Sequence, residues 1–433
     1  MADTERSEGD GGRFFQIGRR RPMKGSHEKV CGKSLFVDDL DLPGLLHAKG
    51  VFSRFSHARI LNIDTDRARR LTGVKAVATA RDVPHNRLGR SVRDQFLLCG
   101  DKVRHLGDLV AIVAATDEET AEEAAGLIGV DYEPLPAVYD IASSLAEDAP
   151  LIHGGPDNHV PFPPDGFRRM RCGDIETGFK EADLVVEDTY VTQCQEHGAI
   201  ETLSAVAKVE SDGRLTIWAT CSMPFVRAQE TAEIVGMPFS KVRFKVPQVG
   251  GNFGGKNEAG AAPYAALLSL MTGKPVKWTW SREEEFLGST VRHAYVMKHR
   301  TGVKRDGRLV AKKIETVGDA GAYCSASVWV LEKHLLLGCG PYAIPHVWID
   351  GSLVYTNKQV SAAMRGYGST QAAFAAESQM DLLARELGMD PLALRRKNLL
   401  KEGDTIPCGQ KVEAVSIERC LLKAADEFFK ARP

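Results

Sequence analysis

The stretch QVGGNFGGKNE, residues 248–258, constrains this chain more than any other. Ahead of it, KVRFKVP alternates polar and apolar residues with the period of a half-buried strand. Behind it, GAAPYAALLSLMTG reads as a small-residue helix closed by Gly273. A glycine loop is therefore expected between a strand and a helix N-terminus. Glycine admits positive φ and lets a ligand approach the backbone, while the unpaired N–H groups of a helix's first turn attract anions. The local chemistry predicts a negatively charged ligand.

The same pattern recurs downstream. LVYTNKQVSAAM reads as a strand, RGYGS as the turn, and TQAAFAAESQMDLLARELG as a helix whose last turn Gly388 closes. Two such units imply a ligand with more than one anionic group. Residues 250–257 also come close to the nucleotide phosphate loop GxxxxGK[ST], with Lys256 in place. Asn257 stands where the metal-binding hydroxyl belongs, however, and Asn252-Phe253 puts an aromatic where phosphate normally packs. No apolar strand ending in Asp follows at a convincing distance to hold the metal's water. A P-loop-like nucleotide-binding protein and a purely structural glycine turn remain open on the residues, as weaker readings.

With 433 residues the chain has room for two to three domains, and its net charge of −1 favours neither nucleic acid nor an anionic membrane surface. The basic run GRRRPMK sits beside a polar, glycine-rich N-terminus and reads as a solvated arm. No apolar run approaches the ~20 residues of a membrane span, and no hydrophobic signal core opens the chain, so a cytoplasmic protein is expected. The nine cysteines are scattered without a CxxC pair, which argues against a zinc ribbon, a self-contained iron–sulfur site or a disulfide framework.

In chain order, residues 1–25 read as a flexible arm. Residues 26–138 form an α+β domain in which LVAIVAA is a buried strand; Ala121, Ala124, Ala125 and Ile128 then stripe one face of the helix that follows. Residues 139–171, with HVPFPPDGF, read as a proline-rich linker outside the core. Residues 172–433 form a second α+β domain holding both glycine loops, a hairpin turn at Arg305-Asp306-Gly307, and a final helix over 416–430.

Several phrases, each modest alone, occur in an order that is specific. HEKVCGKSLFVDD, SHARILNIDT, LTGVKAVATARDVP, DKVRHLGDLVAIVAAT and VDYEPLPAV are followed by GDIETGFKEADLVVEDTY, QVGGNFGGK, MRGYGSTQAAFAAE and LGMDPLALRRKNLLKEGD. Together they resemble the molybdopterin-binding subunit of the molybdenum hydroxylases, the xanthine oxidase and aldehyde oxidase family. The resemblance implies an N-terminal α/β hammerhead domain followed by the first of two molybdenum-cofactor-binding domains. It implies that Gly251, Asn252, Phe253 and Gly254 line the pterin and metal, that Arg365 holds the cofactor through its backbone amide beside Gly366, and that Tyr367 stacks on a planar substrate. Glycine-turn amides suit a phosphate-bearing pterin independently of that resemblance.

The departures bear on substrate. Purine-oxidising relatives have Glu directly after the loop lysine, where this chain has Asn257, and a substrate-orienting Arg where Lys333 falls. Cys221 stands where a Gln commonly contacts the metal's oxo group. A xanthine substrate is disfavoured, and Lys333 suits an anionic ring such as a carboxylated N-heterocycle. Gly366 follows the arginine where carbon monoxide-oxidising relatives carry a metal-binding cysteine.

The family's general-base Glu lies in a second cofactor domain beyond the equivalent of Pro433. The polar end KAADEFFKARP therefore predicts a split enzyme, the type that includes nicotinate dehydrogenase. The resemblance then implies a second molybdopterin-binding subunit that supplies the base, a [2Fe-2S] subunit and an FAD subunit. It also implies a molybdopterin cofactor in the cytosine dinucleotide form. The expected activity is hydroxylation of an electron-poor carbon in an N-heterocycle or aldehyde with water-derived oxygen. The rival reading is a non-catalytic scaffold that keeps the fold without the metal.

Overall fold

The computed structural model describes residues 20–430, so most of the expected arm lies outside the described residues. Two sheets organise the rest. The larger has seven strands, in the order Val242–Lys245, Leu215–Ala219, Ser204–Val209, Val276–Thr279, Leu46–Phe52, Leu109–Ala115 and Val74–Thr79. Leu109–Ala115 is buried along its whole length, as expected of an unbroken apolar run covered on both faces. On one face Ala124 of helix Glu118–Gly126 packs with Val77, Ala111 and Val113. On the other, helix Ala262–Thr272 shares a core with Ile112, Ala114, Ala205 and Ile217.

That sheet joins distant parts of the chain. Leu46 pairs with Val276 in a parallel ladder, so strands from the first 115 residues and from 204–279 form one surface. Side-chain bonds reinforce the join. The Tyr323 hydroxyl donates to Asp108 at 2.9 Å and the Tyr355 hydroxyl to Asp94 at 2.7 Å, and all four side chains are buried. Burial pushes the Asp94 carboxyl up to about 6 against the pull of Tyr355.

The second sheet runs Leu184–Thr192, Tyr295–Val303, Leu309–Gly321, His346–Tyr355, Phe167–Cys172. Its one parallel pair, Leu309–Gly321 with His346–Tyr355, is connected through helix Ser327–Leu336. The hairpin at Arg305-Asp306-Gly307 forms as its residue types dictate, with Gly307 at φ 87. Helix Ser369–Leu387 buries Ala372, Ala375, Ala376, Met380 and Leu383, and Gly388 ends it at φ 65.

Three local expectations change. Residues 139–171 are not outside the core, because Ile152, Val160 and Phe162 are each at most 2% exposed within the second hydrophobic cluster. A proline-rich extended segment buries side chains through contacts set by its neighbours, and no periodicity in its own sequence reports them. The strand expected through LVYTNKQVSAAM stops at Tyr355. The first glycine loop does not abut its helix: a 3-10 turn, Gly255–Asn257, intervenes, and the helix starts at Ala262 with Pro263 in its first turn.

Candidate functional site

The first loop is held by a buried charge and by one asparagine. Lys256, 1% exposed, donates to Glu201 at 2.8 Å, and the same carboxylate oxygen accepts from the Gly250 N–H at 2.6 Å. Burial lowers the Lys256 pKa, and Glu201 pulls it back up. Asn252 Oδ1 accepts from the Gly254 and Lys256 amides at 2.9 and 3.2 Å, which curls the loop around its own side chain. The lysine that resembled a phosphate ligand is thus committed to Glu201. The loop offers a ligand backbone, not an ammonium group, and this removes the main support for a nucleotide P-loop.

The second loop lies against the first. The Arg365 N–H donates to the Phe253 carbonyl at 2.7 Å, and a Cβ on Gly254 would sit 2.4 Å from the Ala363 carbonyl oxygen. Position 254 therefore requires glycine twice over, for this approach and for its φ of +107. His197 Nε2–H donates to that Ala363 carbonyl at 2.8 Å, which ties the junction to the segment before Glu201. Arg292 fastens the far side, donating to the Arg365 carbonyl at 2.9 Å and to Thr370 at 2.6 Å. Helix Ser327–Leu336 backs the loop. His334 Nδ1–H donates to the Gly368 carbonyl at 3.1 Å, and burial pushes that histidine down to about 4, so it is neutral.

Both loops hold an aromatic residue in the left-handed region, Phe253 at φ 51 and Tyr367 at φ 52. A non-glycine residue there is costly, and the surrounding bonds over-determine it. Among the described residues no acceptor meets the amides of Gly251, Asn252, Phe253 or Gly366. Phe253 is 47% exposed, and Arg365 and Gly366 are exposed beside it. The junction thus carries four backbone donors without an acceptor among the described residues, groups of the kind that bind anions.

The remaining residues singled out from sequence do not all gather at the junction. The Arg365 amide is spent on Phe253, so it does not remain for a cofactor as expected. Cys221 is buried, its Sγ accepting from the Met223 N–H at 3.2 Å, and burial raises its thiol pKa. Asn257 bonds Ser222 across the turn before helix Pro224–Ile234. Lys333 is exposed on helix Ser327–Leu336 and does not line the cavity beneath the loops. Tyr367 is half-buried, and burial together with Glu258 raises its phenol pKa. Sequence reading missed His197, Glu201 and Arg292, which lie 49 or more positions in sequence from the backbone atoms they secure and belong to no motif. It also missed Arg227, 1% exposed, which pairs with Glu230 and with Glu258 at 3.5 Å.

Comparison with known proteins agrees with this geometry. The molybdopterin cofactor-binding domain matches residues 153–399, and the aldehyde oxidase and xanthine dehydrogenase a/b hammerhead domain matches residues 31–136. The chain is 38% identical over 420 residues to the nicotinate dehydrogenase large molybdopterin subunit of Eubacterium barkeri, covering 96% of this chain and 97% of that protein. It is 34% identical over 420 residues to the xanthine dehydrogenase molybdenum-binding subunit of Escherichia coli, covering 92% and 54%. Aldehyde oxidoreductase from Desulfovibrio gigas superposes with a TM-score of 0.89 at 31% identity, over 95% of this chain and 46% of that one. Quinoline 2-oxidoreductase from Pseudomonas putida 86 superposes at 0.87 and 29%, over 94% and 54%. The chain spans nearly all of the first relative and about half of the other three.

A hammerhead domain followed by a pterin-binding domain defines a molybdopterin-binding oxidoreductase subunit. The chain belongs to the xanthine oxidase and aldehyde oxidase family of molybdenum hydroxylases.

Proposed function

We propose that this chain is one half of the molybdenum centre of a multi-chain hydroxylase that inserts water-derived oxygen at an electron-poor carbon of an aromatic N-heterocycle or aldehyde. The observation that carries the reading is the exposed junction of the two loops, where the amides of Gly251, Asn252, Phe253 and Gly366 meet no acceptor among the described residues. When bound, molybdopterin supplies a metal centre able to take two electrons from substrate. Gly251, Asn252, Phe253 and Gly366 hold its acceptor oxygens through backbone N–H groups, while Gly254 keeps the loops in contact. Tyr367 offers its ring to a planar substrate, and the exposed Phe253 ring stands on the other loop of the junction.

A second molybdopterin-binding subunit covers the exposed side and brings the general-base Glu. A [2Fe-2S] subunit and an FAD subunit carry electrons away, and the pterin is the cytosine dinucleotide form. The relatives named as subunits support a divided enzyme. A cytoplasmic setting suits nine free cysteines, and among the described residues no helix is long and apolar enough to cross a membrane.

The test is purification of the chain alone and with its co-expressed partners. The assembly is expected to hold molybdenum and to hydroxylate a heterocycle or aldehyde, and the isolated chain is expected to do neither. A molybdenum-loaded, active isolated chain would overturn the division of labour. An assembly without molybdenum would favour a scaffold.

A further inference from the structure

Behind the first loop lies a cavity whose lining is rich in hydrogen-bond donors with nothing to donate to. It is bounded by Gly255 and Glu258 from the loop's end, by Arg227 and Glu230 from helix Pro224–Ile234, and by Trp280, Thr290 and Ser325. Arg227, Trp280, Thr290 and Ser325 are all less than 10% exposed. Among the described residues Arg227 Nε, Trp280 Nε1, Thr290 Oγ1 and Ser325 Oγ have no hydrogen-bond partner, and Arg227 Nη2 has only its ion-pair contact with Glu258 at 3.5 Å. Buried donors are normally satisfied, so several orphans around one space indicate an acceptor that belongs there. Ser325 reinforces the point, being held at φ 42, in a backbone region that costs energy for any residue but glycine.

The donor set defines the ligand. Indole, hydroxyl and guanidinium groups line the same space, and Arg227 Nη1 is bonded to Glu230 while Nη2 faces Glu258 at 3.5 Å, longer than a hydrogen bond, which leaves Nε and Nη2 as the edge that an incoming carboxylate would meet. The cavity holds about 70 Å³. That leaves room for a small substituent such as a carboxylate group. Glu230 and Glu258 also line the cavity, and each is paired with Arg227, so both carboxylates are engaged by the guanidinium, while burial pushes the Glu230 pKa up. Tyr367 lies close enough to two lining residues for its phenol to feel the charges of Glu258 and Arg90.

We propose that this cavity receives a carboxylate substituent of the substrate and that Arg227, not Lys333, is the residue that selects it. The inference rests on the hydroxylase reading above and narrows it to anionic, ring-carboxylated N-heterocycles. Lys333 is exposed and outside the lining, so it has no part in this selection.

The test uses the assembled, molybdenum-loaded complex with a pyridine monocarboxylate and the matching carboxamide as probes. Because Arg227→Gln alone strands two glutamates, it is paired with Arg227→Gln/Glu230→Gln and with Arg227→Lys, and folding is checked by melting temperature. In the double variant the carboxylate KM should rise about 10–100-fold with kcat within about threefold, and the carboxamide should be unaffected. Arg227→Lys should recover part of the loss. Equilibrium dialysis of the labelled carboxylate, which needs no turnover, should show the same loss of affinity. Equal losses for both probes, or none for either, would overturn the proposal in favour of a water-filled structural cavity. A wild-type complex that oxidises neutral rings but neither binds nor oxidises the carboxylate would also overturn it while leaving the hydroxylase reading intact. A complex that binds the carboxylate through Arg227 yet hydroxylates nothing would uphold the pocket and sink the hydroxylase.

Discussion

In the first glycine loop the anchor is a buried ion pair, Lys256 on Glu201 at 2.8 Å; in the second it is a neutral imidazole, His334 on the Gly368 carbonyl at 3.1 Å. Each loop holds an aromatic residue in the left-handed region, and each meets the other at Gly254 and Ala363. They differ in what fixes that shape. The first depends on a charge that burial disfavours and that Glu201, with Glu285 nearby, stabilises. The second is wedged by packing: a Cβ on Gly368 would come within 2.5 Å of the Val330 carbonyl oxygen, and Arg292 ties down its outer edge. One ligand surface is thus built from two mechanically unlike halves, which can be perturbed separately.

The most damaging change should fall where they touch. Gly254→Val places side-chain atoms against the Ala363 carbonyl and forces φ +107 on a β-branched residue. A stability loss of roughly 2–4 kcal/mol and near-complete loss of molybdenum from the assembled complex are expected, read by melting temperature and metal analysis. Retention of metal at wild-type level would show that the junction is not the cofactor's seat.

The ion pair is the next target. Lys256→Met leaves the half-buried Glu201 with only the Gly250 N–H and should cost roughly 3 kcal/mol in denaturant titration. Lys256→Met/Glu201→Gln should recover more than half of that. Arg292→Ala on the second loop should cost about 1 kcal/mol, because packing and His334 remain. Equal losses at Lys256 and Arg292 would erase the distinction between the loops.

Titration should separate them by sign. Burial holds His334 at about 4 and His293 at about 3, below the ordinary value of 6.5. Their contribution behind the second loop is therefore complete above pH 6.5 and is lost as pH falls towards 3–4. Burial raises Glu285, which lies near Arg282, Glu196, Lys256 and Glu201, to about 7 from 4.5. Its contribution near the first loop is complete below pH 4.5 and is lost as pH rises through 7. Hydrogen-exchange protection, corrected for intrinsic rate, should fall in residues 366–369 on acidification from pH 7 to 5, and in residues 250–256 on going from pH 5 to 8. The same trend in both loops would refute the assignment.

The smallest effect is expected at Lys333. Lys333→Ala should change KM for any ring substrate by less than about threefold, because the side chain is exposed away from the cavity.

Much of this was legible in the residues. The period-two run before residue 248, the buried LVAIVAA strand, the closing glycines 273 and 388 and the Arg305-Asp306-Gly307 turn report local backbone preferences, and each element formed where its pattern lay. The segment 139–171 was misread because its burial comes from contacts with strands far along the chain, as where the Val160 N–H donates to the Leu353 carbonyl. Lys256 looked like a ligand because its spacing matched a phosphate loop, and nothing nearby in sequence announced Glu201.

By itself the sequence determined where the chain turns, which runs are apolar and where glycine relieves a backbone that L side chains resist. Those properties are set by each residue and its immediate neighbours. Tertiary structure alone decided that one sheet joins Leu46 to Val276, that the two loops meet, that Lys256 is spent on a glutamate and that Arg227 faces a cavity with donors to spare. Such pairings are made between residues far apart in the chain, and burial, which turns a charge from a solvated surface feature into a structural or recognition group, exists only after folding.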